Sequence, residues 1–388
     1  MILAAIVIAF LLDQVRSTGH EQTATCLLRR WIDTAAGYAD AGTRQHACLA
    51  WALAVVVPTL TAGLAGWLCT RAAGWFGRLA WDVAVLYLTL GFRQCGHYYT
   101  AIRDALAAGD EAKARTLLAQ WQGGEQAGQA AEPLLRGSGA GRGTLVRRAI
   151  EYAVLSAHRG VFGVLFWFSL CALLGFAPAG AVLYRCTDCV MRYWRHKAGQ
   201  GSVSLPLLAV AQTAWSVIDW LPARLTALMF AFVGNFEDAI AAWRQRSGGA
   251  GDAADNAAGE EGNNAIVLAA AAGALGIHLV DDPAKSDVER HASDKSTDGS
   301  TDGSLGPTAA TAGAAGVGFD ARSPAPPDWA PAAPSDDDAA STRAMGTSAS
   351  ANAEPDLRHF VHVAGLLWRS VALWLLLLIL LTFAHVLG

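Results

Sequence analysis

Residues 47–69 read ACLAWALAVVVPTLTAGLAGWLC, with no charged side chain anywhere in the run. A bilayer core about 30 Å thick takes roughly 20 apolar residues of helix, so this stretch is long enough to cross it. Two further runs have the same character: Val161–Tyr184 (VFGVLFWFSLCALLGFAPAGAVLY) and Val371–Leu387 (VALWLLLLILLTFAHVL). Arginines flank all three, Arg44 and Arg71, Arg159 and Arg185, and Arg369. Three weaker stretches surround them. Met1–Leu12 is apolar but short and lacks a basic leader and a small-residue cleavage site, so it reads as a membrane-associated helix rather than a removed signal peptide. Leu79–Phe92 carries Asp82, and Leu205–Gly234 is interrupted by Asp219, Pro222 and Arg224. The expectation is an all-α, multi-pass integral membrane protein with four to six membrane segments.

Composition agrees. Of 388 residues, 53% are hydrophobic and only 16% charged, against about 25% in soluble domains. Residues 281–356 hold 14 Asp/Glu against 5 Lys/Arg, with Phe319 and Trp329 as their only aromatics. This block buries almost nothing and reads as a disordered acidic insert. Its own charge is −9, so a total of −4 leaves +5 on a basic, apolar body. Such a body suits anionic membrane lipid, and the absence of a dense Lys/Arg stripe argues against nucleic acid. The composition argues against a wholly soluble enzyme.

Lys and Arg concentrate on the cytoplasmic side of membrane proteins. Residues 93–159 hold nine and 13–46 hold four, which places both segments in the cytoplasm and 70–78 outside. Loop 185–204 would then be external despite Arg185, Arg192, Arg195 and Lys197, unless 161–184 bends back at Gly175, Pro178 and Gly180. The chain divides into membrane segments over 1–92, a cytoplasmic helical cap over 93–160 and membrane segments over 161–245. A cytoplasmic linker over 246–362 holds the acidic insert, and a terminal transmembrane helix spans 363–388. In the cap, Tyr98, Ile102 and Leu106 recur at helical spacing, Gly109 and Asp110 separate two helices, and Ala114, Leu117, Leu118 and Trp121 form the second apolar stripe. Residues 123–143 read as a loop, and Thr144 opens a third helix.

The candidate chemistry centres on Asp219-Trp220-Leu221-Pro222-Ala223-Arg224, an acid and a base five residues apart across a proline in an apolar run. Buried charges need partners. One reading is a polar site in which Arg224 holds a phosphate or carboxylate and Asp219 orients it or a metal. The plainer reading is a structural pair pinning a broken helix. Glu151 is a third candidate; with Arg93, His97, His158 and Arg159 it flanks the cap, where such residues ordinarily meet headgroups or solvent. Cys186 and Cys189 form a lone CxxC, and His359 and His362 stand three apart without an evident third ligand, so neither pair defines a metal site. No P-loop or GxSxG pattern occurs.

Taken in order, Leu86-Tyr87-Leu88-Thr89-Leu90, Ala108-Gly109-Asp110-Glu111-Ala112-Lys113-Ala114-Arg115, Arg148-Ala149-Ile150-Glu151, Gly163-Val164-Leu165-Phe166-Trp167, Ala179-Gly180-Ala181-Val182-Leu183-Tyr184-Arg185 and Trp220-Leu221-Pro222-Ala223-Arg224-Leu225-Thr226-Ala227 resemble the CobD/CbiB cobalamin-biosynthesis family and its relative AmpE. The resemblance covers roughly 1–245 and the final span, and the WxPARLTA block is its most specific part. It implies a bacterial inner-membrane protein. In the synthase branch it also implies ATP-dependent amide ligation of adenosylcobyric acid to aminopropanol or its phosphate, with ATP and magnesium as cofactors.

The chain departs from that branch at its polar motifs. Asp13-Gln14-Val15-Arg16 and Gly19-His20-Glu21 stand where the branch has GDP and HPV. Gln120-Trp121-Gln122-Gly123-Gly124 replaces VGRDT, and Glu151-Tyr152-Ala153-Val154-Leu155-Ser156 replaces ESVAEN. Cys186-Thr187-Asp188-Cys189-Val190-Met191-Arg192-Tyr193-Trp194 replaces NTLDSMVGY, and Trp215 and Ser216 replace paired acids. This pattern favours an AmpE-like accessory or signalling protein, linked to β-lactamase induction and cell-wall sensing through other membrane proteins. A divergent cobalamin-pathway ligase is the alternative.

Overall fold

A computed structural model describes residues 2–15, 19–39, 42–90, 92–123, 142–248, 260–277 and 356–387. The acidic insert 281–356, apart from Asp356, and nearly all of the loop expected at 123–143 lie outside these residues. The elements are all helices, with no strand among the described residues. The helices are α1 (Ile2–Val15), α2 (Gly19–Ala39), α3 (Arg44–Thr89), α4 (Phe92–Ala107), α5 (Glu111–Gly123), α6 (Arg142–Leu173), α7 (Ala177–Gly199), α8 (Leu205–Val233), α9 (Phe236–Gly248), α10 (Glu260–Leu275) and α11 (Arg358–Leu387). Four of them, α3, α6, α8 and α11, are long and apolar enough to cross a bilayer. The chain is thus an all-α, multi-pass membrane protein.

The stretch that decides the fold forms one arm of a hairpin. Within α3 the backbone leaves helical geometry at Ala73 and Gly74, and Gly74 takes φ +60°, a conformation that costs a side-chain-bearing residue but not glycine. The indole of Trp81 then donates to the Ala62 carbonyl at 3.0 Å. In a straight helix those residues would stand about 28 Å apart, so the chain has folded back, with residues 70–78 at the tip.

A second hairpin overturns the reading of Val161–Tyr184 as one span. α6 stops at Leu173, Gly175 adopts φ +85°, and the Phe176 and Gly175 amides close the turn onto Cys171 and Ala172 at 2.8 and 3.0 Å. α7 therefore runs back along α6, and the bend at Gly175 is the one the proline and glycines allow. Arg185 to Lys197 return toward the end where α6 begins, the arrangement the expected bend at Gly175 would give. The two hairpin tips meet, since Arg78 pairs with Asp82 at 3.1 Å and donates to the Gly175 carbonyl at 2.8 Å. Exposed Trp67, Trp75, Phe76, Leu174 and Phe176 surround this end, matching the aromatic belt of a membrane–water boundary.

The cap follows its sequence signals. Gly109 ends α4, the Asp110 carboxylate accepts from the Lys113 amide at 3.0 Å to start α5, and Trp121 packs on Tyr98 and Tyr152. The Tyr99 hydroxyl donates to the Phe360 carbonyl at 2.9 Å, tying the cap to α11. Within the expected linker 246–362, α10 is instead an apolar helix packed on α8, with Gly234 and Asn235 seated against Ala274. Its Ala- and Gly-rich sequence carries little periodic signal, because small side chains let backbones approach without a pronounced apolar stripe.

Candidate functional site

α6 changes pitch over His158–Phe162, where one π turn interrupts the α-helix and the Gly163 amide bonds back to the His158 carbonyl. Such turns are rare and are common at functional positions. This one directs His158 into the bundle, where it is fully buried. Its Nε2 lies 3.0 Å from Asp219 Oδ1 and its Nδ1 2.9 Å from the Thr226 hydroxyl. The Tyr184 hydroxyl donates to the same Asp219 oxygen at 2.7 Å. A carboxylate oxygen only accepts, so Nε2 carries the hydrogen; in the neutral imidazole Nδ1 then accepts from Thr226. Asp219 Oδ2 is buried and has no hydrogen-bond partner among the described residues.

Asp219 and Arg224 do not form an ion pair. α8 is continuous, and positions five apart on a helix face about 140° away from each other. The helix survives Pro222 for a specific reason. Proline leaves the carbonyl four residues back without its amide, and the Trp167 indole occupies that Ile218 carbonyl at 3.2 Å. The expected broken helix is therefore absent. Arg224 instead caps the Trp220 carbonyl at 2.9 Å, lies over the Trp220 ring at 4.1 Å and reaches Asn263 at 3.4 Å. Arg159 makes the matching arrangement one helix away, over the Trp215 ring at 5.6 Å and on Asn264 at 3.1 Å. Asn263 also donates to the Ser216 carbonyl at 3.0 Å. The first turn of α10 thus supplies two adjacent carboxamides to two arginines, each backed by a tryptophan. Guanidiniums held this way suit planar oxyanions.

Of the residues singled out in the sequence, Asp219 is central and Arg224 lies on another face of the same helix. Glu151 is half-buried on α6 with Arg147 at 3.6 Å. His158, expected at the interface, is in the core; His97 is exposed, and the Arg93 side chain lies outside the described residues. Cys186 and Cys189 sit three apart on α7, which is not among the four candidate spans. Burial pushes the Cys186 thiol up to about 12, so it is not a ready nucleophile. His359 accepts from the Asp356 amide at 2.8 Å and stands 6.4 Å from His362 between ring centres. Sequence reasoning missed Tyr184 and Thr226. Thr226 stands seven positions after Asp219, on the same helix face, which was the one local signal.

These features define a helical membrane protein with a buried histidine–carboxylate pair beside two arginines. Its relatives sharpen the class. The chain is 28% identical over 249 residues to the cobalamin biosynthesis protein CobD of Stutzerimonas stutzeri, covering 63% of this chain and 69% of that one. It is 32% identical over 197 residues to the CobD of Chromobacterium violaceum, covering 51% and 54%. The chain therefore spans about two thirds of the first relative and about half of the second. These similarities support the CobD/CbiB cobalamin-biosynthesis family and bring no support to the AmpE-like branch. No family model and no solved structure matches.

Proposed function

We propose that this chain is an inner-membrane protein of cobalamin biosynthesis that joins a corrinoid carboxylate to an aminopropanol-type amine as an amide. The observation that carries the reading is the similarity to two CobD proteins. The site's chemistry is compatible with it. The corrinoid carboxylate is anionic, as is the amine when it carries a phosphate ester, and the Arg159 and Arg224 guanidiniums suit such groups. His158, locked by Asp219, Tyr184 and Thr226, fixes the segment of α6 from which Arg159 projects. ATP would supply the activation of the carboxylate. Among the described residues no three His, Cys, Asp or Glu side chains converge, so no step is assigned to magnesium.

The test is complementation. A bacterial strain lacking the synthase should regain growth that depends on converting cobyric acid when it expresses this chain, and Arg224→Ala should reduce that rescue. Absence of rescue from a chain verified in the membrane would remove the ligase reading. The AmpE-like accessory reading would then stand, favoured by the replacement of the family's polar motifs at 13–16, 120–124 and 186–194, and deletion of the gene should alter β-lactamase inducibility.

A further inference from the structure

A second buried carboxylate lies outside the His158 cluster. Asp188, on α7, is 1% exposed, and its Oδ2 accepts from Arg185 at 3.4 Å and from Arg192. Arg159, across on α6, adds its field to the same carboxylate. The acid is sealed while its partners are not, for the Arg185 and Arg192 side chains keep 24% and 42% of their surface exposed. One guanidinium would neutralise Asp188. A second brings surplus positive charge into a half-buried site, which costs desolvation and is stable only if an anion or solvent meets it.

Each guanidinium has five N–H donors in a rigid fork and directs one nitrogen at the same Asp188 oxygen, so both heads are held beside one point while their exposed surface is open to an incoming oxyanion. Lysine clusters do not fix geometry in this way, whereas paired arginines match the several oxygens of a phosphate. We infer that Arg185 and Arg192, positioned by the buried Asp188, bind a phosphate group. The group's source is either a soluble phosphate ester or an anionic lipid headgroup, since α7 ends beside the apolar body. Asp188 acts here as a positioning residue and does not touch the ligand.

The experiment titrates the detergent-purified full chain by calorimetry with sodium pyrophosphate and, separately, with dioctanoyl phosphatidylglycerol. Saturable binding of either probe is expected, weakened about tenfold or more by Arg192→Gln and by Arg185→Gln, as the loss of a charge-assisted hydrogen bond implies. Binding of pyrophosphate assigns a soluble phosphate ester, and binding of phosphatidylglycerol alone assigns the lipid. Thermal melts establish that each variant is folded, and if Arg192→Gln is not, Arg185→Gln decides. The inference is overturned if neither probe saturates the wild-type chain, or if the folded variants bind as wild type does. The readout is binding, so it stands apart from whether the ligation reading holds.

Discussion

Gly163→Ala tests the architecture around Asp219 with a single methyl group. An added Cβ at Gly163 would lie 2.1 Å from Tyr184 Cζ, 2.3 Å from its hydroxyl and 2.4 Å from Cε1. Tyr184 is fully buried with its ring 5.2 Å from Trp215, so it can yield only by leaving Asp219. Overpacking a core costs about 1–3 kcal/mol, and losing a hydrogen bond to a charged acceptor costs about 1.5–3 kcal/mol. Replacing a helical glycine by alanine returns about 1 kcal/mol. The expected net loss is about 2–4 kcal/mol, read as a lower midpoint in denaturant unfolding of the detergent-solubilised chain. A double-mutant cycle sharpens the test, because the three clashing atoms are ones that leucine lacks. In a Tyr184→Leu background the same alanine should cost nothing, giving a coupling of about 2 kcal/mol or more. The reasoning fails if Gly163→Ala stays within about 0.5 kcal/mol of wild type, or costs the same in both backgrounds.

Three further outcomes follow from the same geometry. Asp219→Ala strands His158 and Tyr184 in the core and should destabilise by about 3–5 kcal/mol, measured by the same unfolding assay. At Asp188, burial alone would raise the carboxyl, but Arg192, Arg159 and Arg185 outweigh it and hold the group below the ordinary carboxylate range. Its folded value thus lies under its unfolded one, so its contribution is full above the unfolded value of about 3.9 and is lost as pH falls through the folded one; Asp188→Asn should flatten the acid limb of a stability–pH profile. The four long apolar helices require that the chain remain in the pellet after carbonate extraction and ultracentrifugation, and recovery in the supernatant would refute the membrane assignment.

The membrane character and the cap were legible because each rests on local signals. Uncharged runs of span length at 47–69 and 371–387, and the glycine and aspartate at 109–110, act within a few residues of themselves. The sequence allows a bend at Gly175 without requiring it, and the packing of Tyr184 on Gly163 across the hairpin makes it necessary. The site was half legible. Asp219 stood out as an acid in an apolar run, but its partner is chosen by helix phase and by contacts 61 and 35 residues away, with His158 and Tyr184. The structural-pair reading of Asp219 and Arg224 treats Pro222 as a break, whereas Trp167 repairs the lost bond from another helix and α8 stays continuous. α10 escaped notice because alanine and glycine carry little amphipathic pattern.

The proposed amide ligation assigns the chemistry of this helical membrane scaffold to the site around His158, Asp219 and the neighbouring arginines. Membranes containing the chain, incubated with adenosylcobyric acid, aminopropanol phosphate, ATP and magnesium, test it directly by mass spectrometry of the corrinoid products. The amide product is expected from wild-type membranes, and its loss with Arg224→Ala at equal protein level. No product from wild-type membranes holding the folded chain, or an undiminished yield from the Arg224→Ala variant, would contradict it.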